Sequence, residues 1–255
     1  MQVYTHLLRV CHSGYYQAWT IQGTLACHQA CIEVQAGWRF RLRPRAMTEF
    51  LIKDIHTHVF PSEPGSALVC IGSDRNLIQA GHALSAGLHP WQVTGDDDTA
   101  LKAVEELLSL PQVIAVGECG IDRLKGASAE IQEKAFIRQT ELSERYRKPL
   151  ILHVVRAMDD IIHIRKQIKP AQKWLVHGFR GGPEQMEQLW RNGILVSFGI
   201  KFNPESVRQV PPERLLLETD GNSTIADVIS AISIVRNETA QQVEELALLN
   251  ARSFF

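Results

Sequence analysis

The chain has 255 residues, 45% apolar and 22% charged, with 27 basic against 28 acidic side chains for a net charge of −1. That balance belongs to folded globular proteins and excludes disordered, collagen-like and fibrous classes. No run approaches the ~18 consecutive apolar residues of a membrane span, and nucleic-acid binding has to be argued from a site rather than from net charge.

In chain order, the first 46 residues stand apart. They carry five arginines (Arg9, Arg39, Arg41, Arg43, Arg45) against one acid, Glu33, a net charge of +4 that leaves −5 for the remainder. Three of the five cysteines (Cys11, Cys27, Cys31) fall here, and no helical or strand period runs through the stretch. A small metal module around Cys27, His28 and Cys31 lacks four ligands at finger-like spacing. A basic nucleic-acid arm built on Arg39 to Arg45 is a second reading. The preferred one is that translation starts at Met47, with 1–46 disordered or not translated. The start of the chain also lacks the basic stretch, apolar run and small-residue site of a secretory signal, and the five cysteines have no framework spacing. A cytoplasmic protein is therefore expected.

From Met47 onward short apolar runs alternate with amphipathic stretches. Strands are predicted at 50–55, 67–72, 84–88, 113–117, 150–153, 174–177, 194–197 and 215–218. Helices are predicted at 99–110, stopped by Pro111, at 129–147, stopped by Pro149, at 158–168, at 183–191 and at 239–250. Eight strands with intervening helices predict an α/β fold, a compact (β/α)8 barrel. Such barrels typically need about 250 residues, with about 200 as a lower edge. The 255 residues less the first 46 leave 209, so the barrel is lean. The economy is expected early: 59–66 holds Pro61 and Pro64, and 76–83 is short, so both crossovers are loops or single turns.

Six potential metal ligands close these apolar runs: His56, His58, Glu118, His153, His177 and Asp220. In a parallel barrel all strand ends open on one face. Residues two apart on a strand share a side, so His56 and His58 can hold one ion. Mixed nitrogen and oxygen donors suit zinc, manganese or similar divalent ions, and a bridging carboxylate would allow a pair. Taken singly, each has a bland reading. His-x-His pairs occur by chance, a lone His153 or His177 fits a core histidine, and Glu118 or Asp220 fits turn chemistry. Packing does not explain six such residues at the ends of five separate runs.

Seven segments then carry a resemblance: DIHTH (54–58), GLHPW (87–91), VGECGID (116–122), LILH (150–153), VHGF (176–179), ETD (218–220) and the terminal NARSFF (250–255). In this order they resemble the TatD-type metal-dependent deoxyribonucleases, among the amidohydrolase-like barrels, across 47–255 and not 1–46. The resemblance implies a divalent-metal-dependent deoxyribonuclease, 3′–5′ exonuclease-like, using water activated by two ions of Mg, Mn or Zn. It implies that His56, His58 and Asp220 hold the first ion, that His153 and His177 complete the second, and that Glu118 bridges them. His89 would contact the scissile phosphate or assist proton transfer, so Glu118, His89 and Asp220 form the catalytic set. Asp122 would support the site or touch substrate, and Arg156, Arg180 and Lys201 are candidate phosphate partners. Gly221-Asn222-Ser223 replaces the family's usual residues after the last aspartate, and Arg156 follows His153 by three where an arginine at two is usual.

The expected partner is DNA or another phosphodiester, with no membrane and a monomeric chain. Two rival functions share the fold: hydrolysis of an amide, lactone or ester, and a catalytically silent nucleic-acid or partner-binding protein.

Overall fold

The computed structural model describes residues 50–255. The expectations for 1–46 and for a start at Met47 lie outside the described residues. Seven parallel strands follow one another in sequence order around a single sheet: β1 (Asp54–Thr57), β2 (Ala67–Cys70), β3 (Ala83–Ala86), β4 (Val113–Asp122), β5 (Leu150–Val155), β6 (Trp174–Val176) and β7 (Ile194–Val196). Seven helices accompany them: α1 (Asp98–Leu108), α2 (Ala129–Tyr146), α3 (Met158–Ile168), α4 (Pro183–Arg191), α5 (Pro204–Gln209), α6 (Ile225–Arg236) and α7 (Ala240–Phe254). The early crossovers are as lean as expected. No helix joins β1 to β2, and one turn at Arg75–Leu77 joins β2 to β3. No described helix is long and apolar enough to cross a membrane.

The eighth predicted strand is a correction in form and not in role. Residues 215–218 contribute one β-bridge, Leu217 to Phe198, rather than a ladder. The segment nevertheless bonds on both sides: Ile55 N–H donates to Leu217 O at 2.8 Å, and Phe198 N–H donates to Leu216 O at 2.9 Å. It thus joins the last strand to the first, and the side chains agree. Ile55, Leu68, Ala83, Ala115, Ile151, Leu175 and Leu216, with Leu195 against them, form one apolar cluster drawn from every strand and the closing segment. This is the filled interior of a barrel. Its floor is Ile52 with Ala251 and Phe254 of α7. A second, larger cluster holds the opposite strand faces, including Val69, Leu84, Val116, Leu152, Trp174 and Val196, together with the inward faces of the helices. Strands buried on both faces read as unbroken apolar runs, which is why they are visible in the sequence.

Other differences have local causes. Strand β1 begins later than the predicted 50–55, because Ile52 serves the floor. Strand β4 runs on past 117, pairing Gly120 with His153 and Asp122 with Val155. Helix α5 is not among the predicted elements, and neither is α6, whose β-branched sequence IADVISAISIVR argues locally for a strand. The Thr224 side chain, which accepts from Asp227 N–H, caps α6, and burial of Val228, Ile229 and Ile232 selects the helix.

Candidate metal centre

Two of the strands that carry ligand candidates are irregular where those residues fall. Between Asp54 and Thr57, β1 spends three steps against two on β2, and β4 does the same between Val116 and Cys119 against β5. Such bulges re-aim side chains, and they coincide with His56 and Glu118. Glycines allow β4 to make this passage. Gly117 (φ +140°) and Gly120 (φ +134°) lie where an added Cβ would collide with the carbonyl oxygens of Ile151 and His153. At the closing segment Asp220 sits at φ 51°, a left-handed position that aspartate tolerates.

Glu118 is the hub. Its Oε1 lies 2.7 Å from His153 Nδ1, 2.7 Å from His177 Nε2 and 3.3 Å from His89 Nε2. Its Oε2 lies 3.2 Å from His58 Nε2 and 3.5 Å from His56 Nε2. Asp220 Oδ1 approaches the same two nitrogens at 3.5 and 3.7 Å. One carboxylate therefore divides two sets of imidazoles between its two oxygens.

The charges of the cluster follow from this geometry. Burial alone would raise the Glu118 pKa, but the imidazoles of His153, His177, His56 and His58 hold it far below the carboxylate range. Burial likewise opposes ionisation of Asp220, and His56 and His58 overcome it. Burial and the neighbouring His177 pull His56 down, yet the Asp220 and Glu118 carboxylates raise it to about 9. Contacts with Asp220, Cys70 and Glu118 raise His58 to about 12. The carboxylates thus favour positive charge in their midst.

The donors fit divalent cations. His56 is fully buried, and neither of its ring nitrogens has a hydrogen-bond partner; His177 Nδ1 is likewise unpaired. Unpaired buried polar groups are expensive, and coordination would satisfy them. At His153, Nε2 lies 3.3 Å from Asp122 Oδ2. The neutral ring can donate from Nδ1 to Glu118 at 2.7 Å or from Nε2 to Asp122, and in the second tautomer its Nδ1 lone pair is free for a cation. A ligand imidazole with its second nitrogen on a carboxylate is a recurrent metal-site arrangement. His89 differs. Its Nδ1 accepts the Trp91 backbone N–H at 3.1 Å, so the neutral ring keeps its proton on Nε2 and is a donor in the centre.

The remaining residues singled out in the sequence lie around this core. Asp122 Oδ2 accepts from Trp91 Nε1 at 2.7 Å as well as meeting His153. Arg156 and Arg180 line a groove of about 700 Å³ that also touches His153, His177 and Asp220. Lys201 lies in a smaller cavity, shared with Arg180 and Asp220.

Sequence reasoning passes over several supporting residues. Glu218 Oε2 accepts from Ser197 Oγ at 2.7 Å and stands 3.7 Å from His177 Nδ1. Cys70 Sγ accepts the Glu118 N–H at 3.3 Å. Asp54 accepts from the backbone and hydroxyl of Thr219 at 3.1 and 2.7 Å, clasping β1 to the closing segment. Asp54, Thr219 and Glu218 all stand inside the quoted DIHTH and ETD segments, where a signal is available. Cys70 has none.

Comparison with known proteins bears on the family and the fold. Over 226 residues, 76% of this chain and 89% of the relative, the chain is 24% identical to the uncharacterized metal-dependent hydrolase YabD of Bacillus subtilis. It is 33% identical to the deoxyribonuclease Tat-D of Schizosaccharomyces pombe over 156 residues, 53% of this chain but only 50% of that protein. The crystal structure of YjjV, a TatD homologue of Escherichia coli, superposes with a TM-score of 0.69 at 23% identity, covering 82% of this chain and 99% of that one, and so shares the fold. The model of the family described as TatD related DNase matches residues 75–255, which takes in Glu118, His153, His177 and Asp220 and leaves out His56 and His58. The chain belongs to the TatD-related DNase family.

Proposed function

We propose that the chain is a two-metal hydrolase of DNA phosphodiester bonds that works from a strand end, as a 3′–5′ exonuclease does. One observation carries this reading: Glu118 turns Oε1 to His153 and His177 and Oε2 to His56 and His58. In this reading His56, His58 and Asp220 hold one divalent cation, His153 and His177 hold the other, and Glu118 reaches both. Bound there, Mg, Mn or Zn ions supply the charge that neutralises a phosphodiester and makes water a competent nucleophile near neutral pH. The chain's own groups do the rest. His89 offers its Nε2–H to an oxygen of the phosphate, and the Trp91 backbone N–H fixes the ring for that task. Asp122 orients His153, and Glu218 stands behind His177. Arg156, Arg180 and Lys201 face the openings beside the centre, where flanking phosphates would run.

Treating the full chain with chelator is expected to abolish cleavage of single-stranded DNA, and Mn or Zn to restore it at close to two ions per chain. Undiminished cleavage in excess EDTA would overturn the metal reading. Turnover of a lactone or amide panel, with DNA left intact, would move the chemistry to the carbonyl substrates that the same barrel serves.

A further inference from the structure

Trp91 is spent on the surface in an unusual way. Of the described tryptophans, Trp174 is fully buried and Trp190 partly so, whereas Trp91 is 45% exposed. A large aromatic left in water invites an explanation, and its surroundings supply one. The indole is held from several directions. Its Nε1–H donates to Asp122 Oδ2 at 2.7 Å, and its ring stands edge-to-face with His89 and His153 at centroid distances of 4.6 and 5.4 Å. Lys125 Nζ sits over one face of the ring, 3.5 Å from its centroid, as an exchangeable cation on the π surface. An exposed ring fixed in this way has already lost the freedom that binding would otherwise remove. Two more exposed apolar side chains flank the same centre: Val59, one residue past His58, at 59%, and Leu124, two past Asp122, at 66%. One flat aromatic ring and two aliphatic side chains are therefore exposed close to a centre built for an anion's counter-charge. A ligand matching both has a flat aromatic ring joined by a short link to a phosphate.

We propose that Trp91 is a stacking platform for the unpaired terminal base of a nucleic-acid strand, the base taking the place of Lys125 over the ring and the displaced ammonium pairing with the adjacent phosphate. The proposal rests on the phosphodiester reading and narrows it to strand ends whose last base is free to leave its partner. Within a duplex that base is paired and its inner face covered, so the platform favours frayed or single-stranded ends. Aromatic stacking tolerates any base, so no sequence preference is expected from it.

The test is binding of a hexathymidylate with phosphorothioate linkages to the metal-loaded full chain, compared with the same strand carrying an abasic sugar at one end and then at the other. For one of the two ends the base is expected to tighten binding by about 5–150-fold, the equivalent of ~1–3 kcal/mol per stacked base. Trp91→Ala should shrink that ratio to below about twofold, and Trp91→Phe should retain some of it. Equal affinity of the wild-type chain for all three strands overturns the proposal without any variant. A ratio unchanged in Trp91→Ala also overturns it. The two readings separate cleanly. A chain that prefers base-bearing ends through Trp91 yet releases no nucleotide keeps the platform and loses the hydrolase, and a chain that cleaves all strands without preference does the reverse.

Discussion

Glu118 and His89 stand 3.3 Å apart, and their roles can be separated. Replacing Glu118 by Gln keeps the shape but removes a charge that both sets of imidazoles face. The expected result is loss of bound metal and a fall in kcat/KM of more than about 10³-fold, since charge stabilisation by metal is worth several kcal/mol. His89→Ala removes the N–H donor and leaves the metal-ligand candidates in position, so metal content should persist while turnover falls by about 10²-fold. Metal analysis of the two proteins beside their rates is the check, and full metal content in Glu118→Gln would refute the hub. At this scale the ligand candidates are legible because each interrupts an apolar run with a group that packing does not want. Their supports are not. Cys70 meets Glu118 only because β2 and β4 flank β3, and a neighbour across a barrel leaves no trace in local sequence.

Elements are legible in proportion to their periodicity and their stops. The predicted 183–191 coincides with α4, where Pro183 opens the helix. Helix α6 escapes because its β-branched residues obscure the period, and the closing segment reads as a full strand because its apolar run is real while its pairing is confined to a few bonds. The extension of β4 beyond 117 is hidden by its glycines, which read as a strand end. Those glycines give the prediction for this scale. Gly120 has φ +134° and its Cα faces the His153 carbonyl, so Gly120→Ala must either shift β5 or break the Gly120–His153 pairing. We expect a loss of about 3 kcal/mol, a melting decrease of about 6–12 °C for a domain of this size, together with weakened metal binding, because His153 rides on the displaced strand. Calorimetry with and without metal would measure both. A neutral Gly120→Ala would mean that β4 and β5 are looser than their register implies.

For the whole molecule, the count of strands and the position of polar residues at their ends are enough to predict a barrel, and the interior cluster bears that out. What the sequence does not reveal is how the bottom is sealed. The terminal NARSFF segment carries the family resemblance, but its work is architectural. Asn250 Nδ2 donates to Pro212 O and Leu215 O at 2.7 and 2.9 Å, holding the closing segment, while Phe254 is 3% exposed beneath Ile52 and Ile55. Phe254→Ala should therefore lower stability by about 3–5 kcal/mol, read as a shift in denaturant midpoint, with the KM of the folded fraction unchanged. An unchanged midpoint would show that the floor can collapse around the loss.

The clasp between Asp54 and Thr219 joins residues 165 apart in the chain. Asp54 belongs to the first of the described strands, and its buried carboxylate has no Thr219 to meet until most of the protein exists. At about 5–20 residues per second, a ribosome needs roughly 8–33 s to travel that distance. Once β2 has paired with it, β1 still lacks its described partner on the other side, an open strand edge in a chain still under construction. The candidate centre straddles the same seam, with His56 and His58 on the β1 side and Asp220 on the other. In the proposed reading the centre is therefore completed only after every strand is made, and until then the growing chain is an incomplete ring.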